Sequence, residues 1–152
     1  MEATLVEVSG YALPLDRYYH RTDNLWVRVE GELCRIGIDV LGQETSGDLA
    51  QLALVELGTE LAAGMEMGTL EAQKFVGSLR APISGTVVAV NGRLFDEPRL
   101  VNGDPFGEGW MLMVRPSSHL NEELAAMASA DEVTPWFSER VRECRLLGIL
   151  AE

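Results

Sequence analysis

Lys74 is the one lysine in a 152-residue chain that carries eleven arginines. Both side chains supply positive charge, but only the lysine amine readily becomes a neutral nucleophile able to attack a carbonyl. A preference for Arg codons accounts for much of the bias, yet one Lys has been kept, which points to chemical work for its amine. Before it, Met67 to Gln73 reads as extended. Behind it, Gly77-Ser78 supply turn residues, and Arg80-Ala81-Pro82 follows, with Pro82 pushing Ala81 toward extended backbone. The amine therefore falls at or near a hairpin tip, far from the core and open to a modifying enzyme. An ordinary solvated lysine has the same local setting, so the choice rests on what surrounds it.

The other reactive residues form no constellation. Cys34 falls on a strand and Cys144 on the apolar side of a helix. Buried small hydrophobes are the expectation for both, the alternative being thiols that exchange with a disulfide. A structural disulfide is not expected in a reducing compartment. His20 and His119 are too isolated for a metal site, and no Cys/His spacing suggests zinc. No glycine pattern makes a phosphate loop. Without an acid/base or nucleophile set the chain is not expected to be an enzyme.

The elements that position Lys74 are short. Leu25, Val27 and Val29 alternate with Trp26, Arg28 and Glu30, and Gly31 turns the chain back through Leu33 to Ile38, a hairpin. Asp39 caps a helical stretch through Val40 to Glu44 that Gly47 ends. Leu52 to Leu57 and Thr86 to Val90 read as strands, Ala63-Gly64 as a turn and Asn91-Gly92 as a hairpin turn. Residues 100–105 are turn-rich, and Trp110 to Val114 is a further strand. Many short strands with frequent glycine turns predict a small barrel or sandwich.

After Pro116 the pattern becomes helical. Ser118 caps a helix with Leu120, Leu124 and Met127 on one face. Thr134-Pro135 starts another, in which Phe137, Val141 and Cys144 share a face and Gly148 is the stop. The expected division is a β domain at 1–117 and a helical extension at 118–152 packed on it.

The net charge is −12. Such a surface is repelled by nucleic-acid backbones and by anionic membranes. It suits partners with basic docking faces, or simply keeps a mobile protein soluble. No apolar run spans a bilayer and no secretory start is present, so the cytoplasm is the expected location.

Glu71, Lys74, Pro82, Ser84 and Gly85 together resemble the lipoylation site of glycine-cleavage H proteins, in which a Glu precedes the modified Lys by three residues and Ala/Ser-Pro-Val/Ile-Ser-Gly follows. Trp26-Val27-Arg28-Val29-Glu30-Gly31 with Ile36-Gly37-Ile38 resembles that family's opening hairpin. Leu100-Val101-Asn102, Asp104-Pro105-Phe106 and Gly109-Trp110 resemble its closing section. The resemblance covers residues 18–115. It implies a mainly β fold, a flattened lipoyl/biotinyl-type β-barrel (hammerhead) with C-terminal helices here. It also implies lipoate in amide linkage to Lys74, attached by a lipoyl or octanoyl transferase or ligase. Biotin carriers share the fold, but their acceptor is typically flanked by Met; here the neighbours are Gln73 and Phe75.

Three departures separate this chain from glycine-cleavage H proteins. Asn24-Leu25-Trp26 stands where His-Glu-Trp is usual. Gly77-Ser78 and Arg80 replace the usual acidic residue and Tyr, and the tail is longer. The pattern is more similar to the lipoate-binding proteins of the heterodisulfide-reductase-like sulfur oxidation system. That resemblance implies an arm shuttling sulfur-bound intermediates and electrons, with a heterodisulfide-reductase-like complex as partner. The alternative is a glycine-cleavage H protein carrying the aminomethyl group for the glycine decarboxylase complex. An unmodified adaptor is the alternative of another class.

Overall fold

The computed structural model describes residues 4–150. The N-terminal hairpin pairs β1 (Leu5–Val8) with β2 (Tyr11–Pro14). β3 (Tyr18–Tyr19), β4 (Leu25–Glu30) and β5 (Leu33–Ile38) follow as an antiparallel meander. Strand geometry sends alternate residues to opposite faces, and β4 uses both. Leu25 and Val27 enter one core while Trp26 enters a second.

Helix α1 (Val40–Ser46) starts where the Asp39 carboxylate accepts the Gly42 N–H at 2.9 Å. It ends at Gly47, whose φ of 78° lies in the left-handed region. Strands β6 (Leu49–Leu54), β7 (Glu60–Leu61), β8 (Glu66–Ala72), β9 (Val76–Arg80) and β10 (Gly85–Val90) come next. Two single-turn helices, α2 (Arg93–Asp96) and α3 (Leu100–Gly103), lead to β11 (Leu112–Pro116). Helices α4 (Leu120–Ala125) and α5 (Val133–Leu146) close the chain.

Besides the separate β1-β2 pair, the strands form a six-stranded sheet, β3-β4-β5-β11-β10-β7, and a three-stranded sheet, β6-β8-β9, with every pairing antiparallel. The first core draws on both: Val27, Ile36 and Val114 from the larger sheet, Met67, Leu70 and Leu79 from the smaller. This is the flattened barrel with C-terminal helices. Gly85 is required by close approach. A side chain there would run into the Arg115 carbonyl oxygen and the Val114 side chain across the β10–β11 pairing. Helix α4 adds Leu124 to the first core, and Met127 just beyond the helix joins it; the Glu123 carboxylate of α4 accepts the Ser84 hydroxyl at 2.7 Å. Helix α5 places Phe137, Val141 and Cys144 in the second core with Leu13, Tyr19, Trp26 and Leu41.

Several local expectations are corrected. The strand expected over 52–57 runs over Leu49–Leu54, because Val55 to Leu57 leaves the sheet before the Gly58 turn. Asn91-Gly92 makes no hairpin. The buried Asn91 amide donates to the carbonyls of Glu108 and Trp110, and Gly92 opens α2 instead. The last strand begins at Leu112 rather than Trp110. Ser118 does not cap α4; His119 holds that position with no side-chain cap, and the Ser117 hydroxyl accepts the His119 N–H. Thr134 and Pro135 lie inside the first turn of α5, which starts at Val133. Proline is tolerated there because N–H groups in a first turn have no partner within the helix.

Candidate functional site

Lys74 lies at the tip of the β8–β9 hairpin, solvent-exposed. Glu71 pairs with Val76, and the Ala72 N–H donates to the Phe75 carbonyl at 2.9 Å, so the turn itself is Gln73 and Lys74. Gly77 and Ser78, expected as turn residues, are in β9 opposite Leu70 and Thr69. The chain reverses earlier because a second set of hydrogen bonds holds the tip.

Those bonds come from the end of α1. The Lys74 N–H donates to the Ser46 carbonyl at 2.8 Å, and the Gln73 N–H to the Asp48 carbonyl at 3.1 Å. The Gln73 side-chain oxygen accepts the Asp48 N–H at 3.1 Å. Asn102 on α3 braces the same connection: its oxygen accepts the Leu49 N–H at 2.9 Å, and its amide donates to the Gly47 carbonyl at 2.8 Å. The lysine stem crosses Gly47 closely. A Cβ on Gly47 would stand 3.2 Å from Lys74 Cε and 3.0 Å from Gln73 Oε1. The backbone of Lys74 is thus fixed, while its amine has no hydrogen-bond or ion-pair partner among the described residues. A fixed root with a free end suits a residue that carries a long appended group.

The motif residues separate into two places. Glu71 is exposed two residues before the turn. Pro82, Ser84 and Gly85 lie beyond the other end of β9, where Arg80 pairs with Glu66. Ser84 accepts the Ala63 N–H and is gripped by Glu123. This half of the motif shapes the return of the chain and does not touch the lysine. Arg80 donates to the Gly64 carbonyl at 3.3 Å.

Beside the tip is a cleft of about 250 Å³. Its apolar lining is Leu25, Ile38, Leu70, Phe75 and Leu79; Asp23, Asn24, Thr45, Ser78 and Arg80 add the polar part. Arg80 reaches it from the side, although it lies at the opposite end of the strand from Lys74. Asp39, the cap of α1, is fully buried, and burial pushes its carboxyl up to about 6.

Both cysteines are buried and unpaired, Cys34 in the first core and Cys144 in the second. Burial raises the Cys34 thiol to about 11 and raises Cys144 as well. No group of three or more metal-ligating side chains occurs among the described residues, and no helix there is long and apolar enough to cross a membrane. Gln73, Ser46 and Asn102 are the positioning residues that sequence reasoning missed. The only signal was the place of Asn102 in the Leu-Val-Asn stretch.

A family profile described as "Glycine cleavage H-protein" matches residues 17–139. The probable glycine cleavage system H protein of Haloarcula marismortui is 46% identical over 110 residues, covering 71% of this chain and 87% of that protein. The glycine cleavage system H protein of Bacillus subtilis is 40% identical over 124 residues, covering 81% and 97%. The crystal structure of a glycine cleavage system H protein from Mycobacterium marinum superposes with a TM-score of 0.70. It is 30% identical and covers 85% of this chain and 99% of that one.

Proposed function

The chain belongs to the glycine cleavage H-protein family, and on that premise we propose that it carries its lipoate on Lys74. Members of the family bear lipoate in amide linkage to a lysine and act as substrates of partner enzymes; they are not enzymes themselves. The observation that carries the assignment is the position of the sole lysine at an exposed hairpin tip. Acylating this amine breaks no ion pair among the described residues, and the Ser46 and Gln73 contacts hold only its backbone. When bound, lipoate supplies a dithiolane that accepts and releases a group or electrons. Fixing the root and freeing the end raises the effective concentration of that ring at each docked partner, so brief docking suffices. In this reading residues 1–117 form the lipoyl domain and 118–152 a helical extension packed on it, a lipoyl or octanoyl transferase or ligase installs the arm, and the protein works in the cytoplasm. Intact-mass analysis after co-expression with lipoylating enzymes tests it. One lipoyl adduct on Lys74 is expected; persistent absence would favour an adaptor.

The relatives above are all named as glycine cleavage H proteins, which supports the aminomethyl cargo and the glycine decarboxylase complex over a sulfur-oxidation partner. One observation favours the second reading. Leu25 and Ser78 stand where acidic residues are usual in glycine-cleavage H proteins, and both line the cleft beside the arm. Asp23 is the one carboxylate on that lining and Arg80 the one cation. A basic amine is drawn to carboxylates, whereas an anionic sulfur compound is drawn to a guanidinium.

A further inference from the structure

The match to the family stops at residue 139, inside α5. The chain beyond it returns to the lysine. Helix α5 ends at Leu146, after which the Gly148 N–H donates to the Arg145 carbonyl at 3.1 Å and the Ile149 N–H to the Cys144 carbonyl at 3.0 Å. Those bonds turn the tail back so that Leu150 is buried in the second core. Ile149 is left 49% exposed, beside a cavity of about 410 Å³ lined by Thr45, Lys74, Gly148, Ile149 and Leu150. Lys74 lines this cavity but not the cleft on the other side of Thr45, which lines both.

We propose that the Gly148–Leu150 tail is a resting seat for the acyl chain attached to Lys74, holding it against Ile149 between encounters. The inference rests on the assignment of lipoate to Lys74. The acyl chain and dithiolane are apolar, and each methylene removed from water is stabilised by contact with an apolar wall. The chain is tethered at the rim of the cavity, so a weak contact is well populated without any loss of freedom to leave. Leu150 and the two backbone bonds anchor the wall from behind. Thr45 borders both this cavity and the cleft that Phe75 lines.

The test uses the full-length lipoylated protein, with the adduct on Lys74 first verified by intact mass. NMR is expected to show cross-peaks between the Ile149 methyl groups and the protons of the acyl chain or ring. Ile149→Ser, at a half-exposed position that tolerates it, is expected to abolish those contacts and sharpen the arm's resonances. It should also speed reduction of the ring by a water-soluble phosphine about three- to tenfold, as loss of one apolar contact implies. Unchanged line widths and rate in Ile149→Ser, or cross-peaks from the arm only to the opposite cleft, would overturn the seat and leave the assignment of Lys74 intact. Failure of any lipoyl adduct to form would overturn both.

Discussion

The Lys74 N–H donates to the Ser46 carbonyl at 2.8 Å, joining the tip of the β8–β9 hairpin to the last residue of α1. A hairpin tip alone would fray, because its end has neighbours on one side only. Here the tip leans on α1, and α1 is in turn fixed by the buried Leu41 and the buried cap Asp39. The position of the Lys74 backbone, the root of the free amine, is therefore set by a core that lies well behind it.

Lys74→Arg should eliminate lipoylation while leaving stability within about 0.5 kcal/mol of the parent, since the side chain is exposed and the tether uses the backbone. Intact mass and a melting curve on the same sample check both halves. A lipoyl adduct on the variant would refute the site, because the chain contains no other lysine.

Gly85→Val should cost about 1–3 kcal/mol, as overpacked and strained positions do. Its φ is 156°, near the extended range, so the cost comes chiefly from the collision with the Arg115 carbonyl. Denaturant unfolding would measure it. A midpoint equal to that of the parent would mean that β10 and β11 separate without loss.

What was legible in the sequence follows the range of the forces involved. The 25–38 hairpin and α1 could be read because alternation, Gly31, Asp39 and Gly47 are local signals. Lys74 could be read because its rarity is a property of the whole composition. The second core was hidden: Val8, Leu13, Tyr19 and Trp26 meet Phe137 and Val141 only after the chain has closed. β3 and β7 have two residues each, too few to show alternation. The brace from Asn102 to Gly47 joins two polar loop residues, each of which looks like an ordinary turn former by itself.

Asp39 makes stability depend on pH. Its folded value of about 6 lies above the ordinary 3.8, chiefly through burial, with the Gly42 N–H and the Arg140 charge opposing. A raised acid favours the folded state when protonated. Its contribution is therefore fully present below 3.8 and is lost as pH rises through about 6. The displacement corresponds to about 3 kcal/mol. Asn caps a helix about as well as Asp, so Asp39→Asn should be more stable than the parent at neutral pH. The advantage should fade as pH falls toward 4. Chemical denaturation at several pH values would show it, and parallel curves for the two proteins would rule it out.

Cys34 and Cys144 should resist an aromatic disulfide reagent in the native protein and react at once when it is unfolded. Both thiols are buried, and burial raises their pKa, to about 11 for Cys34. Since the thiolate is the reactive form, neither should exchange with a dithiolane. Cys34→Ser and Cys144→Ser should leave the turnover of the carrier by its partner enzyme unchanged. A mixed disulfide trapped between either cysteine and the arm would contradict this.

The composition of the cleft sets the last expectation, which concerns cargo. With Leu25 and Ser78 on its wall and Asp23 as its one carboxylate, the cleft offers a basic amine little to bind. If cargo follows cleft chemistry, the lipoylated protein should be a poor acceptor for reconstituted glycine decarboxylase, and Ser78→Asp, at an exposed position on the cleft, should improve it. Arg80→Tyr should weaken any reaction with an anionic sulfur compound or a heterodisulfide-reductase-like complex. Loss of one charge-assisted contact is worth about 1.5–3 kcal/mol, or roughly ten- to a hundredfold. Steady-state rates with the two enzyme systems, each measured on protein of verified adduct mass, decide the matter. Efficient turnover by glycine decarboxylase and none by the sulfur system would show that the aminomethyl group is the cargo despite the lining. The carrier assignment of Lys74 would stand.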